Sequence, residues 1–174
     1  MDAAMDNKAL EALAGRVGEA LKARQLMIST AESCTGGWIG EVLTAIAGSS
    51  NYYERGFITY SNEAKQEMLG VPEQTITQHG AVSEETVRAM AAGAIAHSRA
   101  QGAVSVSGGA GPGGGSAHNP VGTVCFGWAV RDGQPQSARR RFDGDRESVR
   151  RQAVAFALQG ALERIESLPA AKGS

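Results

Sequence analysis

At 174 residues the chain has room for one ordinary domain. Its 42% hydrophobic and 20% charged residues fit a globular enzyme or binding domain rather than a disordered or fibrous chain. A formal net charge of −1 argues against nucleic acid as the main partner, because such proteins carry a basic excess that displaces counterions from phosphates.

From Lys8 to Arg24 the apolar residues Leu10, Leu13, Val17 and Leu21 recur at three- and four-residue steps and predict an amphipathic helix. A short strand is expected at Leu26–Thr30, a tight turn at Ala31–Thr35 and a closely packed helix over Gly36–Ile46. Gly48–Asn51 reads as a turn, and the aromatic and β-branched stretch Tyr52–Tyr60 as one or two strands. Ser61 is placed to cap a helix through Leu69 that carries Lys65 one turn in, and Val71-Pro72 ends it. Ser83, followed by Glu84 and Glu85, caps an Ala-rich helix expected to run to about Ala100.

Gly102–Ser107 reads as a short buried strand, and the glycines of Gly108–Gly115 suit neither regular structure. Val121–Arg131 and Gln136–Phe142 predict an antiparallel pair joined at Asp132-Gly133. Asp145 caps a final helix to about Glu166. The basic residues concentrated between Arg131 and Arg151 read as a solvated strand edge and helix start. Helices alternate with strands and a hairpin comes late, so the expected class is α/β, a three-layer α/β/α sandwich with a mixed sheet. Residues 1–168 are expected to form a single domain and 169–174 a frayed tail.

The two cysteines, Cys34 and Cys125, lack CxxC partners, so neither a disulfide framework nor a zinc site is expected. No His, Cys, Asp and Glu cluster has ligand spacing, and no metal is expected. Met1–Asp6 lacks the basic start and apolar core of a signal peptide, and no run of about 18 apolar residues exists. A cytoplasmic protein without a membrane partner is expected.

Chemistry is sought first at Thr30–Trp38, where two hydroxyls, a thiol and flexible backbone meet a predicted helix start. Free N–H groups there suit an anion or the oxyanion of an attacked amide. The same residues also describe a capped helix with glycines for close packing. A serine nucleophile needs a base, and none of the three histidines, His79, His97 and His118, has the context of one. Gly-x-Ser-x-Gly is absent around Ser33, and Ser61 and Lys65 stand four apart rather than at Ser-x-x-Lys spacing. Lys65 becomes a base only if burial lowers its pKa; otherwise it is an exposed lysine paired with Glu63 or another acid. Gly109, Gly111 and Gly114 formally match Gly-x-Gly-x-x-Gly, but a strand rather than a helix follows, leaving only bare amides that could cradle a phosphate.

Five blocks together resemble one family: Ala31-Glu-Ser-Cys-Thr-Gly-Gly37, Tyr60-Ser-Asn-Glu-Ala-Lys65, His79-Gly-Ala-Val-Ser-Glu84, Ala110-Gly-Pro-Gly-Gly114 and Pro120-Val-Gly-Thr123. It is the CinA carboxy-terminal domain family, the nicotinamide-nucleotide amidases, matched in order from about Lys8 to about Leu162. The resemblance implies hydrolysis of nicotinamide mononucleotide to nicotinate mononucleotide and ammonia, with no metal or organic cofactor, by a homo-oligomer, commonly a dimer. By position it makes Ser33 the nucleophile and Lys65 its base, with Tyr60 and Ser107 lining the site. Substrate contacts are expected from Cys34, Thr35, Gly36 and Gly37 and from Gly108, Gly109, Ala110 and Gly111. Ser107 stands where threonine is frequent and Gly109 where a bulky aliphatic residue is usual. Two rivals remain: a silent paralogue that binds a nucleotide as a sensor or interaction module, and a serine hydrolase with His118 as base, titrating near pH 6.5.

Overall fold

The amphipathic repeat at the amino end folds as helix α1 (Asn7–Ala23), its Asp6 side chain accepting the Ala9 N–H and its buried residues lying on one face. The computed structural model describes residues 5–170. Gln25, in the left-handed region, ends α1 with the paired bonds Gln25 N–H to the Lys22 carbonyl and Leu26 N–H to the Leu21 carbonyl. That closing turn consumes Gln25 and Leu26, so strand β1 is Ile28–Glu32 rather than Leu26–Thr30. The tight turn accordingly shrinks to Ser33–Thr35, and α2 (Trp38–Thr44) begins after Gly36 and Gly37, both at positive φ.

A 3₁₀ turn (Ser49–Asn51) leads into the single strand β2 (Tyr53–Ile58). Helix α3 (Asn62–Leu69) is capped by Ser61 as expected, its Oγ accepting the Ala64 N–H at 3.0 Å. The short helix α4 (Glu73–His79) was not expected: Pro72, read as a stop for α3, also supplies the preset φ of −61° that starts the next helix. Helix α5 (Glu84–Ala96) stops short of Ala100 because Arg131 draws the chain away, its Nη2 donating to the carbonyls of Ile95, Ser98 and Ala100. Strands β3 (Gly102–Gly108), β4 (Thr123–Val130) and β5 (Gln136–Arg141) follow, then α6 (Arg146–Glu166), capped by Asp145. Pro169 and Ala170 have no regular structure, and the remainder of the expected tail lies outside the described residues.

The sheet order is β2-β1-β3-β4-β5. β1 runs parallel to β2 and β3, and β4 runs antiparallel to β3 and β5, so the sheet is mixed. Alternation along the strands feeds two cores. Ile28, Val104, Val106, Val124 and Phe126 face α1, α2 and α6, while Ala31, Ala103, Cys125 and Ala129 face α3, α4 and α5. The α/β/α sandwich is therefore as expected. Arg139, Arg140 and Arg141 fall on the edge strand β5, where charge discourages pairing with another sheet. Among the described residues no helix is long and apolar enough to cross a membrane.

One buried carboxylate fixes the β1-to-α2 junction. Glu32 is 1% exposed. Its Oε1 accepts Thr35 Oγ1–H at 2.6 Å, Ile39 N–H at 2.9 Å and Gly37 N–H at 3.2 Å, and its Oε2 accepts Gly40 N–H at 3.0 Å. A carboxylate with four donors satisfies the amides that a helix start leaves unpaired and complements their positive end. Glu32→Gln retains the volume but turns a donor toward another donor. It is expected to lower stability by about 1–3 kcal/mol, read from urea denaturation midpoints; an unchanged midpoint would contradict this account.

Candidate active site

Two residues remote in sequence meet at the carboxyl ends of the parallel strands. Ser33 leaves β1 and donates its N–H to the Val106 carbonyl on β3 at 3.0 Å, which fastens the turn to the neighbouring strand. Lys65 comes from α3, whose start is held near by the Thr59 N–H bond to the Glu32 carbonyl at 2.8 Å. Its Nζ lies 3.1 Å from Ser33 Oγ, 3.0 Å from the Thr59 carbonyl and 3.1 Å from the Tyr60 carbonyl.

Lys65 is 1% exposed. Among the described residues no carboxylate lies within ion-pairing distance of its Nζ, and the alternative pairing with Glu63 is not formed. Burial therefore holds the ammonium below the ordinary lysine range. A neutral amine has two N–H donors and one lone pair. Nζ donates to both carbonyls and to Ser33 Oγ, while the Ser33 hydroxyl donates to the Tyr60 carbonyl at 3.4 Å; loss of one proton from Nζ would leave its lone pair facing Ser33.

The other groups of the turn are committed or inert. Thr35 gives its hydroxyl to Glu32. The Cys34 thiol, 6% exposed, is pushed up to about 12 by burial and stays protonated. The helix-start amides expected to be free are largely spent: those of Gly37, Ile39 and Gly40 on Glu32, that of Gly36 on the Ser33 carbonyl and that of Trp38 on the Thr35 carbonyl. The N–H groups of Cys34 and Thr35, directly after Ser33, have no acceptor among the described residues.

Tyr60 meets the pair through its backbone. Its carbonyl touches Lys65 Nζ and Ser33 Oγ, while its side chain is 64% exposed with the hydroxyl 3.5 Å from Arg146 Nη2. Ser107, buried, is the penultimate residue of β3, next to Val106, and faces the α3–α5 side with Cys125 opposite it in register. The glycine loop follows. Gly108 has no room for a side chain, since a Cβ would lie 2.8 Å from the Thr123 carbonyl oxygen. Gly109 is open: a Cβ there meets nothing within 4 Å, although its backbone is pinned to Thr123 and Gly122. Ala110 is buried, and the Gly111 carbonyl accepts from Arg146 Nη1 at 2.7 Å. His118 is exposed and lines a separate hollow with His79, Glu84, Glu85 and Arg139.

Glu32, Thr59, Arg146 and Arg150 were not assigned roles from the sequence. Arg150 donates from Nε to the Cys34 carbonyl at 3.0 Å and from Nη2 to the Thr35 carbonyl at 3.2 Å. Arg146 and Arg150 stand four apart on α6 and so share a helix face, a spacing visible in the sequence. What Thr59 contributes is a backbone carbonyl, which leaves no residue-type signal.

Comparison with known proteins identifies the family. A family model described as the CinA C-terminal domain matches residues 10–165. The nicotinamide-nucleotide amidohydrolase PncC of Escherichia coli (strain K12) is 57% identical over 155 residues, 89% of this chain and 94% of its own. PncC of Pseudomonas putida is 55% identical over 152 residues, 87% of this chain and 94% of its own. A CinA-like protein of Syntrophobacter fumaroxidans is 50% identical over 85% of this chain, but the match takes up 35% of its own length. Among solved structures, the competence/damage inducible protein CihA from Agrobacterium tumefaciens superposes with a TM-score of 0.86 at 47% identity, covering 90% of this chain and 95% of the other. With a family model spanning most of its length and relatives matched nearly end to end, the chain belongs to the CinA C-terminal domain family.

Proposed function

We propose that this chain is a nicotinamide-nucleotide amidohydrolase that works through Ser33 and Lys65. The observation that carries the mechanism is the buried Lys65 Nζ, without a counter-ion among the described residues, 3.1 Å from Ser33 Oγ. Substrate identity rests on the PncC relatives, which match nearly end to end and carry that activity in their names.

Neutral Lys65 takes the proton of Ser33 Oγ as the oxygen attacks the carboxamide carbon. The amide carbonyl becomes a tetrahedral oxyanion, accepted by the free N–H groups of Cys34 and Thr35. The C–N bond then breaks. Lys65 returns the proton to the departing nitrogen, which leaves as ammonia, and an acyl ester remains on Ser33. Water, deprotonated by Lys65, attacks that ester; the carboxylate product departs and Ser33 recovers its proton.

The nucleotide phosphate sits at the mouth, where the exposed Arg146 bridges the Gly111 carbonyl and the Tyr60 hydroxyl. The same reading makes the chain a cytoplasmic homodimer. The exposed Ile58, Tyr60 and Met68 beside the site support a covering subunit. A sensor role has less support, since both reacting groups are present and meet. His118 makes no contact with Ser33 among the described residues, which leaves the histidine mechanism without a base.

Purified protein mixed with nicotinamide mononucleotide is expected to release ammonia. Ser33→Ala and Lys65→Met should each lower kcat by roughly a thousandfold or more while circular dichroism is retained. Near-normal turnover by either variant would overturn the assignment. Arg146→Ala is expected to raise KM about tenfold or more with kcat little changed, as loss of one charged phosphate contact does; an unchanged KM would remove it from the phosphate site.

The pH dependence has a definite sign. In the unfolded chain Lys65 titrates near 10.4, and in the folded protein it titrates lower. Between those two values unfolding takes up a proton, so this group makes stability rise with pH across that window. The melting temperature of the wild type minus that of Lys65→Met should therefore increase with pH up to about 10.4. A flat difference would mean that Lys65 is not depressed.

A further inference from the structure

The nucleophile turn is gripped from behind by a side chain that does not approach the reacting atoms. Arg150 lies in α6 beside Val149, which is 1% exposed in the core and anchors that turn of the helix. Its guanidinium lies over the Trp38 ring at 5.3 Å and donates to two successive carbonyls, Cys34 from Nε at 3.0 Å and Thr35 from Nη2 at 3.2 Å. A planar fork stacked on an aromatic face fixes both acceptors at once, which an ammonium on a flexible stem does not.

The Cys34 carbonyl and the Thr35 N–H belong to one planar trans peptide and point in opposite directions. Fixing the carbonyl therefore fixes where the N–H points. The preceding peptide is set in the same way, its Ser33 carbonyl accepting the Gly36 N–H at 3.0 Å, which orients the Cys34 N–H. Neither of these N–H groups has an acceptor among the described residues. A guanidinium bonded to a carbonyl also polarises its peptide and makes the N–H on the other side a stronger donor.

We infer that Arg150 is a positioning residue for the amidase reaction: through the Cys34 carbonyl it aims and polarises the Thr35 N–H that receives the oxyanion, and through the Thr35 carbonyl it steadies the turn, without touching substrate. The inference rests on the amidase reading above and adds to it a requirement on α6. Its signature is a loss confined to the transition state, because the ground-state carboxamide gains less from those donors than the oxyanion does.

The test compares Arg150→Ala and Arg150→Lys with wild type on nicotinamide mononucleotide, with Arg151→Ala as control. Arg151 stacks on the same Trp38 at 4.9 Å but has no bond to the turn. Both Arg150 variants should lose about a hundredfold in kcat with KM within about twofold. Millimolar guanidinium should restore turnover to Arg150→Ala, where sodium chloride of equal ionic strength does not. Arg151→Ala should keep kcat within about twofold. The inference is overturned if Arg150→Ala keeps its kcat, if its loss lies in KM, which would make Arg150 a substrate contact, if guanidinium fails to restore it, or if Arg151→Ala falls equally. Unfolding of both Arg150 variants would overturn it as well, by making the residue structural. Wild-type protein that releases no ammonia would instead sink the amidase reading itself.

Discussion

An amine sealed from water without a counter-ion cannot comfortably hold its charge, and the arrangement around Lys65 depends on that discomfort. Burial of Nζ at a site with two carbonyls and a hydroxyl, and with no carboxylate in ion-pairing range among the described residues, disfavours the charged form. A nearby acid would have raised the affinity of Lys65 for its proton. The glutamate that does lie close by in sequence, Glu32, is turned to the opposite side of the sheet and is saturated by four donors of the α2 start.

The sandwich achieves this separation by strand alternation. Thr30 and Glu32 point toward α2 and the α1–α6 core, and Ala31 points toward α3 and α5. Ser33, the first residue beyond the strand, keeps the parity of Ala31, and its hydroxyl therefore faces α3. A close approach elsewhere keeps α3 in place. A Cβ at Gly93 on α5 would lie 2.0 Å from the Leu69 carbonyl oxygen, so only glycine lets α5 pass so near the end of the lysine's helix.

The helices with a clear cap were legible from the residues: Ser61, Ser83 and Asp145 each hold the amide expected of them. So was the hairpin over β4 and β5, where Asp132 takes the positive φ that its turn requires. What the residues alone did not reveal depends on contacts distant in sequence. Helix α5 ends where Arg131 ties off its carbonyls, and α4 hangs on the single buried Ile76. From the residues alone Lys65 reads as a surface lysine, and only the family resemblance gives it a role, since nothing local states that Thr59 and Tyr60 will turn their carbonyls toward it. Glu32 carries no task in the sequence, because a lone acid there says nothing of the four donors that fold back upon it.

The two thiols carry a consequence for the protein outside the reaction. Cys34 adjoins Ser33 and Cys125 lies opposite Ser107, and burial pushes them up to about 12 and about 11. Electrophiles and peroxides attack the thiolate, and at neutral pH almost none is present at either position. Both thiols are thereby poor targets for oxidation compared with an ionised cysteine.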